Sequence, residues 1–209
     1  MSHGPRSCLL AASLAAVAAC GDGPTAALEP RGEAVVDPVP DALPRPPRRM
    51  DIDQLKASME QVSGGIGWTV EESGETVDRF EQLSVTLGKP DYLASTHEDL
   101  TPGILFQKFL DDASKSICRK LVEVDPGRSQ GERALLVHAE VDDRPGSSTV
   151  ELNLRAALLR WHGHTVPAGS PELEPWLALH EQAHAIAGGA EAWNLVCVSL
   201  YTHPDFYAF

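Results

Sequence analysis

The segment His180-Glu181-Gln182-Ala183-His184 has the residue types and spacing of a zinc site. On a helix, residues four apart lie on one face, so both imidazoles can reach one Zn²⁺. A glutamate beside them can take the proton from metal-bound water, which is the chemistry of a zinc-dependent hydrolase. His180 and His184 are the metal-ligand candidates and Glu181 the catalytic candidate of that reading. Zn²⁺ is its cofactor; the leading reading needs none. A third protein ligand is required. One form of such a site asks for Gly at 187 and His at 190, where the chain has Ala187 and Ala190. The other asks for an acidic ligand on a later helix, and the remaining chain offers Glu191, His203 and Asp205.

Other residues invite chemistry less strongly. His162-Gly163-His164 could be ligands, but Gly with polar neighbours after a helix reads first as a turn. Asp111-Asp112 and Asp142-Asp143 lack a glycine-spaced calcium loop and read as solvated faces. No Cys-x-x-Cys-His occurs, so covalent c-type haem is excluded within this chain. There is no glycine-rich phosphate loop and no nucleophile elbow.

The amino terminus reads as an export signal. Arg6 is followed by an apolar run from Cys8 to Ala19, too short for a permanent transmembrane helix. Val17-Ala18-Ala19-Cys20 resembles the bacterial lipobox, which implies cleavage before Cys20 and lipidation of its thiol. Several acyl chains on one residue meet the requirement for stable anchoring. Cleavage would remove residues 1–19 and leave 190, and losing Arg6 moves the formal charge from -13 to -14. Such acidity opposes nucleic-acid binding. The expected location is the cell envelope beyond the inner membrane. Gly21 after the lipidated Cys favours the outer membrane by the commonest sorting rule. The expected partners are the membrane, through lipid, and another envelope protein.

Residues 20–48 read as the lipidated Cys and a disordered tether: seven of the 28 residues from 21 to 48 are Pro, with few large apolar groups. Residues 49–209 should fold as one all-α domain of six to seven irregularly arranged helices. Asp51 caps a first helix, with Gln54 in capping-box position and Ile52, Leu55, Met59 and Val62 inward. A second helix is expected over residues 77–87, stopped by Gly88 and Pro90. The clearest runs from Ile104 to Val124, with Phe106, Phe109, Leu110, Ala113, Ile117, Cys118 and Leu121 at helical spacing. A shorter helix is expected over 133–141. Ser148 and Glu151 read as a capping box for a helix over 149–161. Ser170 caps the helix that carries the zinc-type motif, with Pro171 at its first position and Gly188-Gly189 at its end. On that helix the apolar stripe is drawn through Trp176, Leu179, Ala183 and Ile186, leaving His180 and His184 at its margin, partly exposed. A last helix covers 191–201. No segment shows a convincing period-two strand.

Cys118 and Cys197 fall in apolar helical patterns within an oxidising compartment. A bridge between them would close a loop of about 80 residues and stabilise by roughly 4 kcal/mol. The alternative is two buried thiols packed as small hydrophobes.

Two stretches resemble a known family. Arg48-Arg49-Met50-Asp51-Ile52-Asp53-Gln54-Leu55 resembles its Arg-Arg-Leu-x-x-x-(Glu/Gln)-(Tyr/Leu) entry. The segment from Glu172-Leu173-Glu174-Pro175-Trp176 through Ala192-Trp193 to Leu200-Tyr201-Thr202-His203-Pro204-Asp205-Phe206-Tyr207 resembles its closing pattern. The family is that of planctomycete- and myxobacterial-type secreted proteins of unknown function, often fused to cytochrome c domains. The likeness covers about 70 residues. It implies a helical envelope protein working with secreted partners, and it does not imply two histidines at 180 and 184. The family's Arg-Arg-Pro is replaced by His162-Gly163-His164-Thr165-Val166-Pro167, and the haem module is absent.

The leading expectation is therefore a non-catalytic helical binding or assembly module on a lipid anchor. The zinc hydrolase is the alternative, and an accessory subunit of an envelope redox complex is a further one.

Overall fold

The computed structural model describes residues 47–209 except 91, 92, 94 and 95. The export signal, Cys20 and nearly all of the expected tether lie outside the described residues. The described fold is mostly helical, with seven α-helices, three short 3₁₀ turns and one two-stranded sheet among the described residues. None of the described helices is long and apolar enough to cross a membrane.

Helix α1 spans Ile52–Val62 and opens with the expected capping box: the Asp51 carboxylate accepts from the Gln54 backbone and the Gln54 side chain accepts from the Asp51 backbone. Helix α3 spans Ile104–Val124, the bounds that its apolar period predicts, and buries the predicted face from Phe106 to Leu121. Helices α4 (Ser148–His162), α5 (Glu174–Ala187) and α6 (Gly189–Thr202) follow, and α7 (Pro204–Tyr207) is a single turn. Helix α6 is the axis of the core. It packs most extensively against α5 and α3 and also meets α4 and α7. Its residues Trp193, Val196, Cys197, Leu200 and Tyr201 are fully buried. The Cys118–Cys197 disulfide ties α3 to α6 across 5.7 Å between Cα atoms. The Tyr201 hydroxyl donates to the Met59 carbonyl at 3.0 Å, which fixes α6 against α1.

Four local expectations are corrected. Residues 69–78 form an antiparallel hairpin, with β1 at Thr69–Glu72 and β2 at Glu75–Asp78. Ser73 and Gly74 both have positive φ, as a two-residue hairpin turn matching strand twist requires. The helix expected over 77–87 shrinks to α2, Arg79–Leu83, capped by Asp78, followed by a 3₁₀ turn at Val85–Leu87. Trp68, Phe80 and Phe109 meet edge-to-face here and seat this corner on α3. Residues 133–141 are not helical. The fully buried Asp125 carboxylate accepts the backbone N–H groups of Ala134, Leu135 and Leu136 at 2.7 to 3.1 Å, so these donors point at one side chain instead of up a helix. The cap of α4 is Ser147, one residue earlier than expected, and its hydroxyl accepts from the Val150 backbone.

The two ends of the domain pair with each other. Arg48 and Phe209 exchange backbone hydrogen bonds, and the Met50 N–H donates to the Tyr207 carbonyl at 2.8 Å. Arg49 is buried over the Phe106 ring and donates to the Leu87 and Asp99 carbonyls and to the Glu98 carboxylate.

Candidate functional site

Helix α5 carries the zinc-type motif; of its expected inward stripe, Trp176, Leu179 and Ala183 do pack against the core or lie buried, but Ile186 does not, and His180, expected at the margin, takes an inward place. His180 is fully buried and Ala183 nearly so, while Ile186 is 86 % exposed. Gly188, with φ 85° and ψ 177°, reverses the chain and lays α5 along α6. This turns His180 onto the Trp193 indole, with ring centroids 4.5 Å apart. Neither ring nitrogen of His180 has a hydrogen-bond partner. Burial holds its pKa below the ordinary value, and His184 acts in the same direction. The His184 ring lies 5.9 Å from that of His180, half-exposed, and Glu181 is exposed. Among the described residues, no third His, Cys, Asp or Glu joins the pair in a common metal-holding group.

A different set of side chains does converge. His162 ends α4, Gly163 takes the left-handed conformation with φ 74°, and the chain turns back so that His164 follows two residues later. The turn reading of His162-Gly163-His164 holds, and the turn also directs the histidines to the carboxyl-terminal part of the domain. One ligand-type atom from each of His162, His164 and Asp205 lies within 4.8 Å of the other two. They border a depression of about 360 Å³, also lined by Trp176, Glu172 and His203.

Each contributor rests on anchored backbone. The His162 Nε2 lies 3.0 Å from the Leu200 carbonyl. A carbonyl only accepts, so Nε2 carries the proton and Nδ1 keeps its lone pair. Beyond His164, buried Val166 pins the loop, and Arg155 Nε donates to its carbonyl at 2.7 Å. Asp205 sits in the first turn of α7, whose Phe206 and Tyr207 are buried. His203 stacks on His162 at 4.8 Å, and its Nδ1 accepts the Asp205 N–H at 3.3 Å. Burial lowers the pKa of His162, against the Leu200 carbonyl and Asp205, which raise it. Two imidazoles and a carboxylate at the rim of an open depression can hold a hard-to-borderline cation and leave it reachable from solvent.

Of Glu191, His203 and Asp205, the residues the later sequence offers as a third ligand for His180 and His184, the fold puts His203 and Asp205 beside His162 and His164, and Glu191 accepts from the Asn194 amide. The separation of about 40 residues has no periodic signature that would pair the two segments. No family model, curated protein or solved structure matches the chain.

Proposed function

We propose that the chain is a cell-envelope lipoprotein, exported across the inner membrane and anchored through Cys20, whose helical domain works by binding. The histidine-lined depression is its binding site. The observation that carries this reading is the convergence of His162, His164 and Asp205 from three separately anchored segments onto one open concavity. The lipobox-like Val17-Ala18-Ala19-Cys20 and the Pro-rich stretch after it support anchoring on a tether. The acidic charge argues against nucleic acid as the ligand. The partial resemblance to secreted proteins of planctomycete and myxobacterial type supports an envelope setting with a protein partner. It also leaves an accessory role beside a haem-bearing chain as an alternative, which a haem spectrum of the co-purified complex would test.

The zinc hydrolase alternative rests on His180, His184 and Glu181. It requires a third ligand brought to α5 and a His180 ring turned out of the core.

The test is expression of the full chain in a bacterial host fed a palmitate analogue. The wild-type chain is expected in the membrane fraction with label, and Cys20→Ala is expected to lose both. Label retained after that substitution would overturn the anchor. Peptide hydrolysis by the purified chain, abolished by Glu181→Gln, would replace the binding reading by the hydrolase.

A further inference from the structure

We infer that the depression holds one divalent transition-metal ion, ligated by His162 Nδ1, a ring nitrogen of His164 and a carboxylate oxygen of Asp205. The inference rests on the binding reading and names the ligand of that same site.

The donor set is the first reason. Two neutral imidazoles with one carboxylate suit Zn²⁺ and its neighbours, which accept mixed nitrogen and oxygen ligands. An ion with bonds of 2.0–2.2 Å in tetrahedral geometry sets its ligand atoms about 3.4 Å apart. One ligand-type atom of each residue lies within 4.8 Å of the other two, and His164 and Asp205 are exposed, so side-chain rotation closes the remainder and draws the Asp205 carboxylate away from His203 Nδ1, which lies 3.6 Å from Oδ2.

The hydrogen-bond pattern is the second reason. A ligating histidine usually donates its other ring N–H to a carbonyl or carboxylate, which fixes the tautomer and the ring plane. His162 already does this toward Leu200, and its lone pair is left on the other nitrogen. His203 is arranged the opposite way. Its Nδ1 lone pair is engaged by the Asp205 N–H, so the proton of its neutral form is on Nε2 and the ring offers no free lone pair. It acts by stacking on His162 and by setting the first turn of α7 that presents Asp205.

The surroundings are the third. A dication with one carboxylate ligand carries a net positive charge, and Glu172 also borders the depression. Three protein ligands leave a coordination position open to the concavity, filled by water or by a donor group of a partner. Such a site exchanges its metal with the medium, unlike a closed four-ligand structural site.

The experiment is calorimetric titration of the full chain with Zn²⁺, with Co²⁺ in its place for the visible spectrum. One ion per chain is expected, with micromolar or tighter affinity. His164→Gln and Asp205→Asn alter exposed side chains, and each is expected to weaken binding about tenfold or more with unchanged circular dichroism. His162→Ala is expected to abolish it. His180→Ala and His184→Ala are expected to leave affinity and stoichiometry unchanged. Binding that survives both His164→Gln and Asp205→Asn would overturn the site. So would binding lost in the His180 and His184 variants, or no ion bound at submillimolar Zn²⁺. Membrane anchoring through Cys20 is read separately by the palmitate label, so a failed metal site does not count against the anchored binding module.

Discussion

His180 and His184 share one helix and one face; His162, His164 and Asp205 share neither. The first pair is the one that a reading of spacing selects, yet the second group is the one whose ligand atoms converge. The helical pair owes its proximity to backbone geometry alone, which supplies two ligands and no third. Once α5 packs on α6, the core covers His180 and leaves His184 half-exposed beside it. The loop-borne group arises where α4 ends, its following turn folds back, and α7 begins. Chain ends of this kind stay at the surface, and each is held by a buried neighbour: Trp161 before His162, Val166 after His164, Phe206 after Asp205. Convergence at a site therefore follows from tertiary packing of element termini, whereas spacing on a helix is satisfied as well by a buried histidine.

The helix side of this contrast depends on the turn at Gly188 and Gly189, and the largest expected effect lies there. A Cβ at Gly189 would fall on the carbonyl oxygen of Val141, a backbone atom that cannot swing away. Gly189→Ala should therefore lift α6 from the 133–147 segment and disturb Trp193 over His180. Overpacking of this kind costs about 3 kcal/mol. Urea denaturation should show an unfolding free energy lower by that amount. A neutral result would mean that the start of α6 does not rest on the Val141 carbonyl as described.

Legibility followed the range of the forces. Helix α3 was readable to its end residues because its apolar period is local and long. The capping box at Asp51 is readable for the same reason, being complete within four residues; Ser170 is a cap as expected, but of the 3₁₀ turn Pro171–Leu173, and α5 begins behind it at Glu174. The hairpin was missed because strands of four residues leave too little alternation, although Ser73-Gly74 between two Thr/Val-containing runs was a usable turn signal. The loss of the helix over 133–141 was not readable. It depends on Asp125, nine to eleven residues upstream, collecting three backbone donors while Asn153 takes the His138 N–H and donates to the Leu135 carbonyl. The candidate site divides in the same way. His162, Gly163 and His164 were visible as a turn, but the arrival of Asp205 depends on how α6 and α7 return to α4. On α5 the apolar stripe correctly marks Trp176, Leu179 and Ala183, but His180 stays illegible as a core residue because an imidazole ranks below Ile186 on any hydrophobic scale, although Ile186 is exposed.

The pH dependence of stability sharpens the contrast from the side of the buried pair. His180 has its pKa lowered in the fold by burial, reinforced by His184. At pH above the ordinary histidine value, about 6.5, the ring is neutral in folded and unfolded chains and adds no pH dependence. Below that value the unfolded chain takes up a proton that the folded chain refuses. Stability then falls with decreasing pH until the folded-state pKa is reached, by at most about 1.4 kcal/mol per pH unit from this group. His180→Leu should make the slope between pH 6.5 and 5 shallower, as followed by urea midpoints across that range. An unchanged slope would mean that His180 accepts a proton in place, and would move it toward the exposed ligand that the zinc hydrolase needs.

The smallest effect tests whether the loop-borne group depends on its own anchors or on the helix behind it. Ser147 caps α4 at the end remote from His162, its hydroxyl accepting from Val150 and contacting the Thr149 hydroxyl, which in turn donates to Asp143. Ser147→Ala should lower stability by about 1 kcal/mol, the usual worth of a cap. Ser148→Ala should cost less, since Ser148 lies inside the helix. Fraying at Ser147 stops within the first turn, while His162 is held by Leu200 at the other end of a 15-residue helix. The Zn²⁺ affinity of Ser147→Ala should therefore equal that of the wild type. Affinity that fell together with stability would show that the His162 ring is positioned by the helix as a whole, and the local-anchor account of the cluster would give way to a global one.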